Sequence, residues 1–587
     1  MSLAESVRAQ IMASSNEQSY RLLRPANRSL LAKFMKKIGR RFREWGYGQA
    51  LYRWRLKGRH PVQILASPDD PAAGNGVIGR KLLGGEYHFE NEMIDINESF
   101  WAAIYGKTDA LITHAHRFNF LEDLAQVGDQ PLAREAAEYL TRLWLEDYAD
   151  FDIDVWQPDI ITRRQISWCV HAPLILSSNC LVYKSKLLLT MACQARHIQR
   201  VTKDCSEGMG EVYGGTALIL SGLILPVGEK WTQRGEDFLS KTLAYFINPD
   251  GGTQSRSTAD AIKVMQQLVI LKSAYKETET EQPVWLQSTL DKIGPFVKAL
   301  MFEDGSMAAF GGTSPSGGSV AERQFGTQSI LQASDAEGSP MESASRTGYQ
   351  RLSNGRTNLI MDVGPAPQTS FSAKAGASCG AFELSDSLYR IITSMGPAGS
   401  RTAMPELAPL SRTSAAFSNH IVSDKNSTKF TETGQMGAGV TATHFTRKNH
   451  DNGALEISLT HDGYDKRVGV SVERRITLSQ DGLTVKGQEK WRVSKPKKAE
   501  KQSASLRFHL HSSVTAEKLD DGRIRIQGPF GTWLFSSIGA DCDLEESLYM
   551  DTPASIQPSV QIVIQASADT LINDYIRWRL SKEDINS

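Results

Sequence analysis

The spacing of apolar residues changes once along this 587-residue chain, and that change constrains the fold more than any other feature. Between residues 98 and 310, apolar residues recur three and four positions apart, which is the period of an amphipathic helix. After residue 345 they recur at every second position, which is the period of a half-buried strand. Helices that precede strands, rather than alternate with them, pack into separate layers. The sequence therefore predicts an α+β multidomain protein, helical first and β-rich second.

The helical part divides into segments separated by short turn signals such as Pro226-Val227-Gly228. The clearest unit is 154–200, where two helical patterns flank the polar turn Ser177-Ser178-Asn179. Antiparallel helices with short loops favour stacked helix pairs, arranged as a toroid or a superhelix. The predicted helices are 118–126, 133–148, 160–176, 181–201, 213–225, 231–247, 259–275 and 285–300.

The β-rich part is a series of short strand-like runs between residues 348 and 565. Asn354-Gly355, Asn452-Gly453, Asp481-Gly482 and Asp521-Gly522 lie between runs and predict hairpin turns. Many short strands with such turns are typical of a large antiparallel β-sandwich or a barrel-like stack. A smaller hairpin is predicted within 62–96.

Four regions follow from these patterns. A basic helical segment occupies 1–60, and the helical domain occupies 61–310. A Gly/Ser-rich stretch at 311–345 predicts a linker or a lid over a site. The antiparallel β domain fills 346–587.

Bulk composition narrows the classes of function. Lys+Arg and Asp+Glu both number 66, so net charge gives no support for a nucleic-acid partner, and none is predicted. No apolar run reaches membrane-spanning length, and the N-terminus carries no readable secretory signal, which predicts a cytoplasmic protein. The six cysteines form no CxxC pair, so reduced thiols are expected. Oligomeric state is left open.

The segment 28–59 is strongly basic and interleaved with aromatic residues. One interpretation is a surface helix that makes peripheral contact with a membrane or envelope polymer. The alternative is a solvated helix face whose aromatic residues pack on the next domain, which is common in soluble proteins and is favoured here.

Several short runs, in this order, resemble one known family. In the helical part they are HRFNFLEDL at 116–124, SWCVHAPL at 167–174, QARH at 194–197 and PDGG at 249–252. In the β part they are GYQRL at 348–352, HDGY at 461–464, RR at 474–475 and FHLH at 508–511. Together they resemble the heparinase II/III-like proteins. The resemblance implies an α/α-toroid joined to a β-sandwich, polysaccharide lyase activity on an acidic polysaccharide, and a periplasmic or envelope location as an alternative compartment.

Such a lyase splits the bond next to a uronic acid by β-elimination. Removal of the C5 proton builds negative charge beside a carboxylate, so the site needs a group that neutralises that carboxylate. It also needs a base for the proton and an acid for the leaving oxygen. Relatives supply an Asn in the toroid cleft, a Tyr after the Asp-Gly turn, and His residues from both halves.

The resemblance places the cleft Asn at Asn179, for which a helix N-cap is the alternative. Tyr183, one helical turn later, can share that cleft or pack between helices. The expected Tyr-His pair is absent after Gly252, and Arg256 is the candidate to hold a carboxylate there. The alternative for Arg256 is an ion pair with Asp260, one helical turn away.

Histidines complete the catalytic candidates. His171 is a base or a buried structural residue, and His420 replaces a β-domain His if the register shifts, since Phe417 stands at the family position. His116 is predicted to bind substrate, or to mark a helix start, and Arg163 and Arg164 are further substrate-binding candidates.

No cofactor is predicted. His509 and His511 share one sheet face, and a structural metal there is the one alternative considered. Two functions stay open at this point: a lyase acting between the toroid and the sandwich, or a catalytically degenerate protein of that fold that binds glycan without turnover.

Overall fold

A computed structural model gives the fold over residues 17–25, 46–47, 50–72, 74–89, 92–314, 320–397, 406–500, 502–551 and 555–583. These ranges contain 18 helices and 20 strands, with the long helices first and the large sheets second. The predicted α+β class is therefore confirmed. Within the same ranges, none of the helices is long and apolar enough to cross a membrane.

The helical domain is built from antiparallel pairs whose starts are marked in the sequence. Asp129 caps one helix by accepting a hydrogen bond from the Leu132 N–H, and Ser257 caps another through the Asp260 N–H. The helices are α1 (Ala50–Leu56), α2 (Gly76–Leu83), α3 (Phe100–Ala103), α4 (Asp109–His116), α5 (Phe120–Ala125), α6 (Gln130–Tyr148), α7 (Pro158–Val170), α8 (Ala172–Ile175), α9 (Leu181–Val201), α10 (Met209–Ile224), α11 (Glu229–Phe246), α12 (Thr258–Glu277), α13 (Val284–Ala299), α14 (Val320–Ser334), and, in the β-rich part, α15 (Leu407–Leu410), α16 (Asp465–Val468), α17 (Pro496–Ala499) and α18 (Ala568–Asn573).

The strands follow the period-two runs closely. They are β1 (Glu17–Leu23), β2 (Glu86–Phe89), β3 (Glu92–Asp95), β4 (Ser343–Ala344), β5 (Tyr349–Asn354), β6 (Thr357–Asp362), β7 (Phe382–Asp386), β8 (Tyr389–Thr393), β9 (His420–Val422), β10 (Ala442–Asn449), β11 (Leu455–His461), β12 (Val470–Leu478), β13 (Thr484–Val493), β14 (Ala504–Leu510), β15 (Thr515–Lys518), β16 (Ile524–Gly528), β17 (Gly531–Ile538), β18 (Cys542–Tyr549), β19 (Gln557–Ala566) and β20 (Tyr575–Lys582). β2 and β3 form the small hairpin predicted within 62–96.

Two large antiparallel sheets pack into a sandwich. The first has the order β1-β10-β11-β12-β13-β20-β17-β16-β15. The second has the order β18-β19-β14-β8-β7-β6-β5-β4, with β9 paired to β14. Their inner faces share one apolar core, in which the rings of Phe382 and Trp578 stack across the sheets at 5.6 Å between centroids.

The hairpin turns lie where the Asn-Gly and Asp-Gly pairs predict them. Gly355 has φ of 55° between β5 and β6, and Gly482 has φ of 74° between β12 and β13. These are left-handed conformations that glycine adopts without steric cost, which is why the pairs mark the turns.

The N-terminal segment differs from its prediction as a helix. Glu17–Leu23 forms β1, which pairs with β10 along its whole length, and the Tyr20 ring stacks on Phe445 at 5.0 Å. The strand exists because β10 offers it an unpaired edge, a partner more than 400 residues away in the chain. Most of the basic segment 28–59 lies outside the described residues. Its described end, α1, places Tyr52 against His197 in the helical domain.

The stretch 311–345, predicted as a linker or lid, contains α14. This helix buries Ile330 and Leu331 and packs against α12 and α13. Lys272 of α12 donates to the Ser334 carbonyl oxygen at 3.2 Å and so holds the end of α14. The Gly/Ser composition hid these contacts, since they depend on a neighbouring helix rather than on local sequence.

Candidate functional site

A polar cavity opens inside the helical domain. Its volume is about 110 Å³, and its walls come from α5, α7, α10, α12 and the loop before α2. The polar side chains that line it are Asp70, Asn119, Glu122, Arg163, Ser167, His171, Tyr213, Lys263, Gln266 and Gln267. A pocket with several convergent titratable groups is the default candidate for a binding or catalytic site.

A second cavity of about 260 Å³ lies between the helical domain and the β domain. Ser257 and Asp260 of the α12 start line one wall, and Phe371 and Lys374 of a β-domain loop line the other. Arg163 lines both cavities, so the two adjoin at its side chain, and together they are called the cleft. Across the second cavity, Lys374 Nζ lies 3.7 Å from an Asp260 carboxylate oxygen.

Arg163 is the cation at the junction of the two cavities. Its guanidinium lies over the Tyr213 ring, 4.1 Å from the centroid, which fixes the plane of the fork. Among the residues that the structure describes, it has no hydrogen bond or ion pair. A half-buried guanidinium with its donors unused is suited to a carboxylate or sulfate from outside the protein.

Asn119 reaches the cleft through an unusual backbone conformation. Phe118, just before it, has φ of 59°, which is rare for an aromatic residue. The Phe118 ring is locked among Trp101, Trp144 and Trp168, and this packing holds the turn that opens α5. Asn119 makes no side-chain hydrogen bond within the described chain, so its amide is available in the cleft.

Glu122 titrates near neutrality. Burial, Asp123 and Asp70 raise the pKa of this carboxyl and Lys263 opposes them, which leaves the pKa at about 7. A carboxyl with this pKa carries its proton for part of the time at pH 7 and can donate it.

His171 is held in its neutral form. Burial lowers its pKa to about 4. Its ring lines the cavity and has no hydrogen-bond partner among the described residues. A neutral imidazole beside a protonatable carboxyl provides a base and an acid in one pocket.

Residues 336–580 match the family model of the heparinase II/III-like C-terminal domain. A likeness of fold also includes the helical part. A crystal structure of heparinase III superposes with a TM-score of 0.68 at 13% identity, covering 90% of this chain and 88% of that one. Residues 336–580 are therefore a heparinase II/III-like C-terminal domain, and the rest of the chain resembles heparinase III in fold.

Other relatives cover the chain almost completely. Heparan sulfate lyase HepC from Pedobacter heparinus superposes with a TM-score of 0.60 at 14% identity, over 92% of this chain and 88% of that one. FtsZ-localized protein C from Caulobacter vibrioides (strain NA1000 / CB15N) is 25% identical over 571 residues, which span 92% of this chain and 94% of the relative. The chain therefore shares the toroid-plus-sandwich fold of heparinase III over 90% of its length.

Asn179, expected from the family pattern, lies outside the cleft. It is exposed in the turn before α9, and Cys180, not Asn179, occupies the N-cap position. Tyr183 is buried between helices, where its hydroxyl donates to the Ile175 carbonyl oxygen at 2.9 Å. Neither residue lines the two cavities, so both expectations are corrected.

Arg256 is fully engaged inside the protein. It forms an ion pair with buried Asp362 and donates to the carbonyl oxygens of Thr347 (2.7 Å) and Pro365 (2.7 Å). The Asp362 charge raises the pKa of Arg256 against the effect of burial. The residue joins the helical domain to the sandwich, and its predicted partner Asp260 binds Ser255 and Lys374 instead.

The remaining predicted residues divide between core and cleft. His420 is buried in the sandwich and bonds Glu489 at 2.6 Å, so it does not replace the family's β-domain His. His116 accepts from Trp144 Nε1 at 3.1 Å in the helical core, and Arg164 is completely buried beside it. Of the candidates named from sequence, His171 and Arg163 line the cleft.

Sequence reasoning missed Asn119, Glu122, Tyr213 and Lys263. Asn119 and Glu122 stand in the run HRFNFLEDL that carried the family resemblance, which was the available signal. Tyr213 and Lys263 come from two further helices and gave no local signal. For metals, no group of three or more His, Cys, Asp or Glu in the described ranges could hold an ion, and His509 bonds Ser547 and the Ala415 carbonyl oxygen.

Proposed function

We propose that this protein binds an acidic, uronate-containing polysaccharide in the cleft between toroid and sandwich, and cleaves it by β-elimination. The observation that carries the proposal is Arg163, a half-buried guanidinium at the junction of the two cavities that makes no hydrogen bond or ion pair with the described residues. The relatives of this fold whose names state an activity are heparan sulfate lyases and heparinases.

In this proposal Arg163 and Asn119 hold the uronate carboxylate. The Arg163 fork suits the two carboxylate oxygens, and the Asn119 amide adds one more donor. Charge stabilisation of this kind offsets the negative charge that builds when the C5 proton leaves. The Tyr213 ring lies under the Arg163 guanidinium and holds it in position for the carboxylate.

His171 and Glu122 then move the protons. The neutral His171 imidazole takes the C5 proton, the C4–O bond breaks, and a C4–C5 double bond forms. Glu122, protonated near neutral pH, gives its proton to the leaving oxygen. In this proposal the carboxylate-binding groups, the base and the acid come from other positions than in the family pattern, and Arg163 and Glu122 take roles for which that pattern has no Arg or Glu.

Arg163→Ala tests the proposal. Wild-type protein incubated with alginate, heparan sulfate or bacterial uronate polymers is expected to generate the ultraviolet absorbance of unsaturated sugars. The variant loses about a hundredfold or more in rate. Arg163→Lys keeps the positive charge but lacks the two-pronged guanidinium, so it is expected to recover only part of the lost rate. Arg142→Ala on the outer surface of the toroid is the matched control. Equal rates for the Arg163 and Arg142 variants contradict the proposal.

A second candidate is a glycan-binding protein without turnover. It is favoured by the positions of Asn179, Arg256 and His420, which lie outside the cleft. This candidate would be established if polymer binding depends on Arg163 while no polymer of the panel gives an absorbance change. That outcome would exclude the proposed lyase activity.

A third candidate is a role in localisation. The relative from Caulobacter vibrioides, which is matched over 94% of its length, is named as an FtsZ-localized protein. The lyases, in contrast, resemble this chain in fold alone. A fluorescent fusion is expected to co-localise with FtsZ in its own host and to fractionate with the cytoplasm. Removal of residues 28–59 tests whether that basic segment supplies peripheral membrane contact, by flotation with anionic liposomes.

A further inference from the structure

A groove of about 540 Å³ crosses the outer face of the first sheet, on strands β11, β12, β13, β20 and β17. It lies on the solvent side of the sandwich, and none of its lining residues lines the cleft. Four basic side chains project into it, Arg475, Lys486, Arg577 and Arg579, against the single carboxylate of Glu456.

Three of those basic groups have no counter-charge. Arg475 lies 3.7 Å from Glu456, but Lys486, Arg577 and Arg579 form no ion pair in the part of the chain that the structure describes. Elsewhere on the same face basic residues are paired, as Arg492 is with Glu473 and Arg525 with Glu517. The excess positive charge is therefore concentrated in the groove.

The strand register brings like charges together. Lys486 of β13 lies directly opposite Arg579 of β20, and Arg577 lies two residues along from it. Like charges at directly opposed positions destabilise a sheet. An anion bound between them relieves that repulsion, so the arrangement favours an anionic occupant.

The groove floor is rigid. Gly487 leaves room for the Trp578 ring, which a Cβ at that position would approach to 1.9 Å. Trp578 in turn donates to buried Glu489 at 2.8 Å. Binding groups that project from such a floor are held in place before the ligand arrives.

We propose that this groove binds an acidic peptide segment in an extended conformation. Arg577 and Arg579 alternate along β20, so their side chains are about 7 Å apart, which matches alternate side chains of an extended peptide. Ile538, 70% exposed at the groove end, offers an aliphatic contact. A sugar chain usually stacks on open aromatic rings, but Trp578 is only 2% exposed and Arg577 covers the Tyr575 ring.

Fluorescence anisotropy with the full chain tests this proposal. The probe is a labelled peptide of alternating Glu and Leu, with a Gln/Leu peptide as the uncharged comparison. The Glu/Leu peptide is expected to bind, and Arg579→Glu weakens its binding by roughly tenfold or more. Lys497→Glu, the same charge reversal on the exposed helix α17 outside the groove, changes the affinity by less than about twofold.

Two results overturn the proposal. One is equal affinity of the Glu/Leu peptide for wild type and Arg579→Glu. The other is displacement of the Glu/Leu peptide by a heparan sulfate oligosaccharide, or by anionic phospholipid vesicles, at a lower concentration than the unlabelled peptide requires. That binding would also have to be lost in Arg579→Glu. Thermal unfolding of both variants, expected to match wild type within a few degrees, separates lost binding from lost fold.

Discussion

Glu489 is the centre of a buried network between the two sheets. Its carboxylate accepts from Arg474 Nε at 3.0 Å and from Trp578 Nε1 at 2.8 Å, and it bonds the His420 ring at 2.6 Å. Burial alone would raise the pKa of Glu489, but Arg474 and His420 together lower it to about 2. This carboxylate therefore stays charged in the folded protein over the whole physiological range.

We expect Glu489→Ala to lower the free energy of unfolding by about 3–5 kcal/mol, because it leaves the Arg474 charge buried and unpaired. Glu473→Ala is the control. Glu473 lies beside Arg474 on β12 and pairs with exposed Arg492 of β13, so its loss is expected to lower the free energy of unfolding by at most about 1 kcal/mol. Chemical denaturation of the two variants measures the difference. Similar losses for both would contradict the network's role.

The cleft residues give a second prediction, on the pH dependence of the proposed lyase rate. Glu122 must be protonated, which fails above its pKa of about 7, and His171 must be neutral, which fails below its pKa of about 4. The rate is therefore expected to be bell-shaped between these values. Glu122→Gln removes the alkaline limb together with most of the rate. A rate that rises steadily above pH 8 would exclude Glu122 as the acid.

At the scale of elements, β1 joins the start of the described chain to the β domain. It extends the first sheet beyond β10, and its loss would leave the β10 edge unpaired. Open edges of this kind exchange their amide hydrogens quickly and invite association between chains.

We expect deletion of residues 1–23 to speed hydrogen exchange at the amides of β10 and to lower the melting temperature by several degrees. Deletion of residues 1–16, which leaves β1 in place, is the matched control and has little effect on either. Mass-spectrometric hydrogen exchange compares both truncations with the full chain. Unchanged protection of β10 after loss of β1 would contradict the pairing.

At the scale of the whole molecule, buried histidines set the response to acid. Six of them have pKa values lowered by burial to about 3 or 4: His114, His116, His171, His197, His461 and His509. Each is neutral when folded and takes up a proton near pH 6.5 when unfolded. Their contribution to stability is therefore complete above pH 6.5 and is lost as pH falls toward 4.

Three carboxyls act in the opposite direction, because burial raises the pKa values of Glu122 and Asp123 to about 7 and 6 and also raises that of Asp70. Three groups do not balance six, so the unfolded chain binds more protons at pH 5. We expect the melting temperature to fall steadily between pH 7 and pH 5, as followed by differential scanning fluorimetry. An unchanged or rising melting temperature would contradict this assignment of charges.

The sequence by itself determined the order of elements. The change of apolar period separated helices from strands, and the Asn-Gly and Asp-Gly pairs located four hairpin turns. These features are local: a helix or strand buries one face, and a turn requires particular backbone angles, whatever lies across the core. Family resemblance added the toroid and the sandwich.

Tertiary structure decided which side chains meet. The sequence predicted Arg256 and His420 as site residues. In the structure Arg256 pairs with buried Asp362, and His420 pairs with buried Glu489, each a carboxylate distant in the chain. Asn119 and Tyr213 gave little signal, and the packing of separate helices brought them to one cleft. The strand β1 and the helix α14 likewise depend on partners distant in sequence. Such contacts are set by the packing of whole elements, which no local pattern of residues records.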